Sequence, residues 1–522
     1  MLNFKTLIPG LSVASIILIM LGTALGSLCF FAIHTDNSAI YLDSYLIHII
    51  WITVYQAILS TLLSVFFAIL LAKALSMINF RGKSWLLRIM PITFILPSLV
   101  VVTGLLSVYG QHGIVTQIFH YFNMPFSLSI YGLQGILLAH LFLNFPYACC
   151  LFYQTIISVP IEQKQLASQL NFTNFDFFKL VEWPLIRRQL LPIASLIFML
   201  CFSSFAIVLA LGGGPKYTTI EVAIYQSIRS FELIQAVLLS GIQLLCCLVF
   251  MWMMQKINRI KKLNVQFTNK EYNLPVSNIL QIISAVIVVL GGLFILMPMI
   301  TILVEGIYAF QFSLLTATFK QAMMYSTIIA LGSAIIAIIL ACLLLWTNSR
   351  LLVIGQITLS NHFMLVGSLI LAIPSMVLAS GLFLSLFDYV KNSVVICLLM
   401  IFCNALMALP YLLKNLATPM YDITSRYWQL TQSLSISGFK HFYLIEFKGL
   451  RRSITMSFAY ATILSLGDFG IIALFGGQGV ITLPYYLYEQ ISHYHHQQAT
   501  VTASFLLVLS FSILVVIDYD RT

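Results

Sequence analysis

Charge is what this chain has least of. Only 8% of its 522 residues are Asp, Glu, Lys or Arg, against 60% apolar, and the mean hydropathy is +1.00. A soluble domain carries roughly a quarter charged residues, so the solvent here is a lipid bilayer. A basic surface fit for nucleic acid is missing, and nucleic acid is not expected as a partner. Strands alternating at about ten residues are missing too, which excludes a membrane barrel and leaves helices. The nine cysteines all lie in apolar runs and none forms CxxC; they read as small buried hydrophobes. Gly212-Gly213-Gly214-Pro215 lacks the G-K-[ST] ending of a phosphate loop, so the chain has no ATP site and binds no cofactor of its own. His493, His495 and His496 have only Glu489 as an acidic neighbour in sequence and read as loop histidines, not a metal site. No intramembrane His/Asp/Glu constellation suggests an enzyme.

What is there is apolar length. Twelve runs approach the roughly 20 residues that a spanning helix needs: about 9–33, 47–76, 87–109, 131–158, 190–211, 234–255, 278–304, 322–346, 362–387, 393–417, 454–475 and 499–518. The first continues through Phe30 and Phe31 without an A-x-A site and reads as a retained helix, although Lys5 precedes it. With the N-terminus in the cytoplasm, 22 of 26 Lys and Arg fall on the cytoplasmic face, leaving Lys216, Arg229, Lys320 and Lys391 opposite. By the positive-inside rule both termini are cytoplasmic.

The chain also repeats itself. QLASQLNFTNFDFFKLVEWPLIRRQ (165–189) aligns without a gap on QLTQSLSISGFKHFYLIEFKGLRRS (429–453), with nine of 25 positions identical. Pro146-Tyr147 answers Pro410-Tyr411 at the same offset of 264, and LPSLVVVTGL (96–105) answers IPSMVLASGL (373–382) at 277. A unit of about 260 residues is duplicated. Both polar stretches share one face only if an even number of spans separates them, so the halves are parallel six-helix repeats: 1–256, a linker at 257–277, and 278–522. Such halves enclose a path at their interface. Pro97, Pro146, Pro374 and Pro410 lie inside spans at matched places, where a broken helix ladder needs cavity water or a neighbour.

Each polar stretch suggests two short helices with a turn. Asn171 suits the left-handed residue that ends the first, and Thr173 with Asp176 forms a capping box that opens the second. Phe175 and Phe178 are expected on one face. In the second copy Ser437 can cap. Aromatics on an exposed, broken helix fit a protein groove better than a lipid surface, and two copies imply a partner that is itself a pair.

These stretches resemble the EAA loops of type I ATP-binding-cassette importer permeases. Gln165-Leu166-Ala167 stands where the EAA triplet would, Asn171 where its glycine would, and Pro184 at the later proline; the second copy reads Gln429-Leu430-Thr431, Ser435 and Lys448. The strings YLDSYLIHIIW, FMLCFSSFAIVLALGGGP, SLGDFGIIALFG and TLPYYLYEQI, spread over the whole length, resemble the permeases of bacterial thiamine importers. The resemblance implies an inner-membrane, multi-pass subunit moving thiamine and its phosphate esters from periplasm to cytoplasm by alternating access. It also implies two copies of a cytoplasmic ATPase, which hold the ATP and Mg, and a periplasmic thiamine-binding protein. The ATPase-docking residues are then Gln165, Ala167, Asn171, Phe175, Phe178 and Glu182, with Gln429, Ser435, Phe439, Phe442 and Glu446. Double-length relatives handling ferric iron make iron the alternative cargo. An ion-coupled secondary transporter is the alternative class, and one intramembrane acid is too few for it.

That acid is Asp468 in SLGDFG, the only one the segmentation places inside a span; Ser204 is its counterpart. It either meets the cation of thiamine or caps a broken helix between Gly467 and Gly470. TTIEVAIYQ (218–226) and TLPYYLYEQ (482–490) pair Tyr225 with Tyr488, beside Glu489; these faces suit a heteroaromatic cation, or an interfacial aromatic belt.

Overall fold

A computed structural model describes residues 4–34, 44–111, 113–123, 129–257, 277–312, 316–386, 392–434, 436, 438–476 and 479–519. The described residues are helical throughout their ordered elements and contain no strand. Among the described residues nine helices are long and apolar enough to cross a bilayer, and the pair Ile357–Leu371 and Ser375–Ser385, bent by 86°, makes a tenth. The last two expected segments are the helices Lys448–Gly467 and His496–Tyr519. The chain is an all-α membrane protein of two parallel six-span halves. Most of the linker expected at 257–277 lies outside the described residues.

Four of the twelve expected runs are not single helices. The third span of the first half breaks between Lys83–Thr93 and Ser98–Tyr109, and its counterpart breaks before Ser375–Ser385. The cause is Pro97 and Pro374, which hold φ −54°, ψ 127° and φ −58°, ψ 145° just before the new helix starts. Proline donates no N–H and pushes the preceding residue out of the α region. Pro146 and Pro410 instead sit inside unbroken helices, Leu133–Ile157 and Ser393–Ser433. The fifth span of each half also breaks, at Ser203–Phe205 and at Asp468–Phe469, before the short helices Ala206–Leu211 and Gly470–Phe475.

The first helix of each half packs on the other half. Phe4–His34 lies against Ala317–Val353 and Ser375–Ser385, while Asn278–Ala309 lies against Ser44–Met77 and Ser98–Tyr109. Small residues let the backbones approach. Gly10 N–H donates to Thr347 Oγ1 at 2.9 Å, and Ser27 Oγ donates to the carbonyl of Gly381 at 2.5 Å. Gly381 rests on the Ala24 backbone, and its repeat partner Gly104 rests on Ile302 and Pro298. A side chain at either would overlap the crossing helix. In the reverse direction Ser107 Oγ donates to Glu305 Oε2 at 2.6 Å.

Candidate functional site

All four helix breaks converge between the halves. Two adjoining cavities of about 290 and 240 Å³ lie there, sharing Phe94, Ser98, Ser375, Tyr411, Gly467 and Asp468 on their walls. Ser98 and Ser375 are paired first residues of the half-helices that follow Pro97 and Pro374. Ser204 and Asp468, also paired, stand at the other two breaks, and Ser204 lines the second cavity. A third pair, His140 and Asn404, is separated by the repeat offset of 264; each lines one cavity.

Three buried polar atoms of these wall residues have no protein partner: His140 Nε2, Asn404 Oδ1 and Asp468 Oδ2. Their other atoms are fixed. His140 Nδ1 is 3.0 Å from Ser60 Oγ, and Asn404 Nδ2 donates to Ser465 Oγ at 2.8 Å. The Asp468 carboxylate lies beside the backbone N–H groups of Gly470 and Ile471 at the start of the next short helix. Asp468 thus stands at a helix break and brings an unpartnered oxygen to the cavity wall. Buried polar groups of this kind await water or a ligand. The walls add the rings of Phe94 and Tyr411, with Phe94 stacked on Tyr147 at 4.7 Å.

A four-ring cluster borders the second cavity through Phe205 and Phe469, which follow the C-terminal ends of the helices that lead away from the polar stretches. Phe205 and Phe469, 264 positions apart, stack across the halves at 5.6 Å and 17°. Tyr225 packs edge-on to Phe205 at 5.3 Å, and Tyr488 packs on Phe469 at 5.0 Å. The sequence paired the tyrosines but missed the phenylalanines between them. Glu489 is half-buried one residue beyond Tyr488 on Leu483–Ser492, outside the ring stack. Arg229 crosses between halves here: its Nη2 donates to the Ala473 carbonyl at 3.0 Å, with the guanidinium 5.5 Å from the Tyr225 ring. Nearby, Glu221 is fully buried and accepts from Gln243 Nε2 at 2.9 Å. It is a further acid buried among the helices, hidden from sequence reading because its helix, Ile220–Arg229, is too short to register as a span.

At the opposite, basic end the two polar stretches fold much as their residues dictate. Ile161–Gln169 ends at Leu170 with Asn171 at φ 52°; Asn171 and Phe172 N–H bond back to the Ser168 and Ala167 carbonyls at 3.1 and 3.0 Å. The Thr173–Asp176 capping box is present. The second copy repeats the closing bond, Ile436 N–H to the Thr431 carbonyl at 3.0 Å. Ser435 and Ser437, and the Phe439 side chain, lie outside the described residues. The copies differ in how they begin. Pro160 opens a separate helix in the first, whereas Thr424, 264 positions on, lets Ser393–Ser433 run through.

Gln165, Asn171, Phe175 and Gln429 are exposed, Phe175 at 70%. Ala167, Glu182 and Glu446 are buried instead of facing outward. Phe178 and Phe442 are half-buried, so Phe175 and Phe178 do not share an exposed face. A π-helical turn in each copy, Phe178–Glu182 and Phe442–Phe447, takes an extra residue per turn and contains the buried Glu182 and Glu446. There Lys73 Nζ meets Glu182 Oε2 at 2.5 Å and lies over Phe178, while Arg350 Nη2 meets Glu446 Oε1 at 3.0 Å. The exposed apolar positions that both copies keep are Leu166/Leu430, Leu170/Leu434 and Leu180/Leu444.

Two parallel halves around a cavity of broken helices, with a duplicated polar element at one end, define a membrane transport permease. Residues 64–262 match the family described as the binding-protein-dependent transport system inner membrane component. Within that class the chain belongs to the family of thiamine transport system permease proteins. It is 41% identical to the one from Salmonella typhimurium over 98% of this chain and 96% of that protein. It is 42% identical to the one from Haemophilus influenzae over 96% and 93%, and 34% to the one from Brucella abortus over 92% and 89%.

Proposed function

We propose that this chain forms the path of an importer for thiamine and its phosphate esters, with the basic end and both termini in the cytoplasm. The observation that carries the path is the convergence of four helix breaks on one cavity with unpartnered polar atoms. The near-full-length likeness to thiamine permeases supports the cargo. Thiamine joins a fixed thiazolium cation to an aminopyrimidine ring. Asp468 Oδ2 offers a negative charge to the first, and His140 Nε2, Asn404 Oδ1 and the aromatic walls suit the second. A hard ferric ion needs several oxygen ligands, and this wall offers one carboxylate.

Energy comes from a pair of ATPase subunits whose grooves receive 165–188 and 429–452. The gripping surface is Gln165, Asn171 and Phe175 with Leu166, Leu170 and Leu180, and Gln429 with Leu430, Leu434 and Leu444 in the second copy. Ala167, Glu182 and Glu446 shape the element from beneath. A thiamine-binding protein docks at the opposite end, outside the four-ring cluster. ATP binding and release then alternate access between the two faces.

Uptake into liposomes holding the permease, the ATPase and the binding protein tests this reading. Labelled thiamine should accumulate only with ATP and binding protein, and thiamine pyrophosphate should compete. Ferric iron uptake without thiamine uptake would overturn it.

A further inference from the structure

The second span of each half is tied at both ends in the same way. At the basic end the ties are the ion pairs Lys73–Glu182 and Arg350–Glu446. Lys73 and Arg350 are 277 positions apart, and Glu182/Glu446 is the only acid that both polar stretches keep. At the far end Thr53 Oγ1 accepts the N–H of Ile220 at 3.0 Å, and Ser326 Oγ accepts the N–H of Leu483 at 2.7 Å. Ile220 and Leu483 are the first residues of the helices that carry Tyr225 and Tyr488.

Between its ties each helix is continuous and free of proline. Twenty residues separate Thr53 from Lys73 and 24 separate Ser326 from Arg350. At 1.5 Å per residue these are lengths of about 30 and about 36 Å, close to the hydrocarbon thickness. The first-half helix also touches the cavity wall on its way: Ser60 meets His140, and Gln56 Nε2 donates to the Cys201 carbonyl at 2.7 Å.

We propose that Ser44–Met77 and Ala317–Val353 are rigid struts that carry displacement of the ATPase-gripped elements to the four-ring cluster, with the two ion pairs as their lower joints. This rests on the reading of 165–188 and 429–452 as docking elements. The joints are unequal. Arg350 also meets His441 Nδ1 at 2.8 Å and lies 3.8 Å over the Trp346 ring, and Thr424 Oγ1 donates to Glu446 Oε1 at 3.3 Å. The second joint is the stiffer, so the first-half strut is the one more easily uncoupled.

The test places spectroscopic probes at Ser230 and His493, both exposed at the C-terminal ends of the helices that carry Tyr225 and Tyr488, in the nanodisc-embedded complex with its ATPase. The probe distance is measured with and without ATP. The wild type should change distance on ATP binding. Glu182→Gln and Thr53→Val should each reduce the open-to-closed population change roughly twofold to thirtyfold. Thr53→Val should do so with the ATPase still bound and hydrolysing at its basal rate. The double variant should be no worse than the worse single one, because both cut the same strut. If Glu182→Gln fails to fold, Thr53→Val and Ser326→Ala, which strand no charge, carry the test. A wild-type distance that ignores ATP, single variants that move like the wild type, or losses that multiply in the double variant would each overturn the proposal. Thiamine uptake, measured separately, can fail without touching this result.

Discussion

Asp468 divides its carboxylate between two tasks. One oxygen lies toward the N–H groups of Gly470 and Ile471, and Oδ2, without a protein partner, belongs to the cavity wall. Asparagine preserves the shape and one oxygen but removes the charge. Asp468→Asn should therefore lower ATP-dependent thiamine uptake by about tenfold, the equivalent of 1.4 kcal/mol, with an unchanged melting temperature in detergent. Sequence could single out Asp468 because a lone acid in an apolar run is conspicuous. It could not show that Glu182 and Glu446 turn inward, since their cations stand 109 and 96 positions earlier in the chain. Glu221 escaped for a related reason: its burial depends on Gln243 from the next helix. Where one residue and its immediate neighbours set the outcome, as with the left-handed Asn171, the expectation and the structure agree.

Among elements, the polar stretches and the broken spans repay comparison. Thr173→Ala removes the hydroxyl that accepts the Asp176 N–H and frays the start of the second short helix. The ATPase should then bind about threefold to fivefold more weakly, as read by titration of the ATPase onto nanodiscs. Gly381 makes a different demand. Its helix must lie directly on the Ala24 backbone, so Gly381→Val should cost about 1–3 kcal/mol through overpacking and lower the melting temperature by a few degrees. Element breaks were legible only in part. Four prolines marked four candidate breaks, yet Pro146 and Pro410 stay within unbroken helices. The breaks at Ser203–Phe205 and Asp468–Phe469 contain no proline at all. The cavity was thus foreseeable as a place between halves, while its walls required the packing.

Across the whole molecule, the four-ring cluster joins the two halves beside the cavity. Phe469→Ala should open it and let labelled thiamine leak into liposomes without ATP, while Phe469→Leu, which keeps apolar bulk, should leak less. The duplication announced two similar halves from sequence alone, but not that each lends its first helix to the other. That exchange sets the order in which the molecule can be made. Ser27 finds its partner Gly381 only 354 residues later in the chain. At a synthesis rate of roughly 5–20 residues per second, the opening helix waits roughly 20–70 s in lipid before its seat exists. A nascent chain arrested after residue 256 should leave that helix open to a lipid-borne crosslinker, and release of the full chain should protect it.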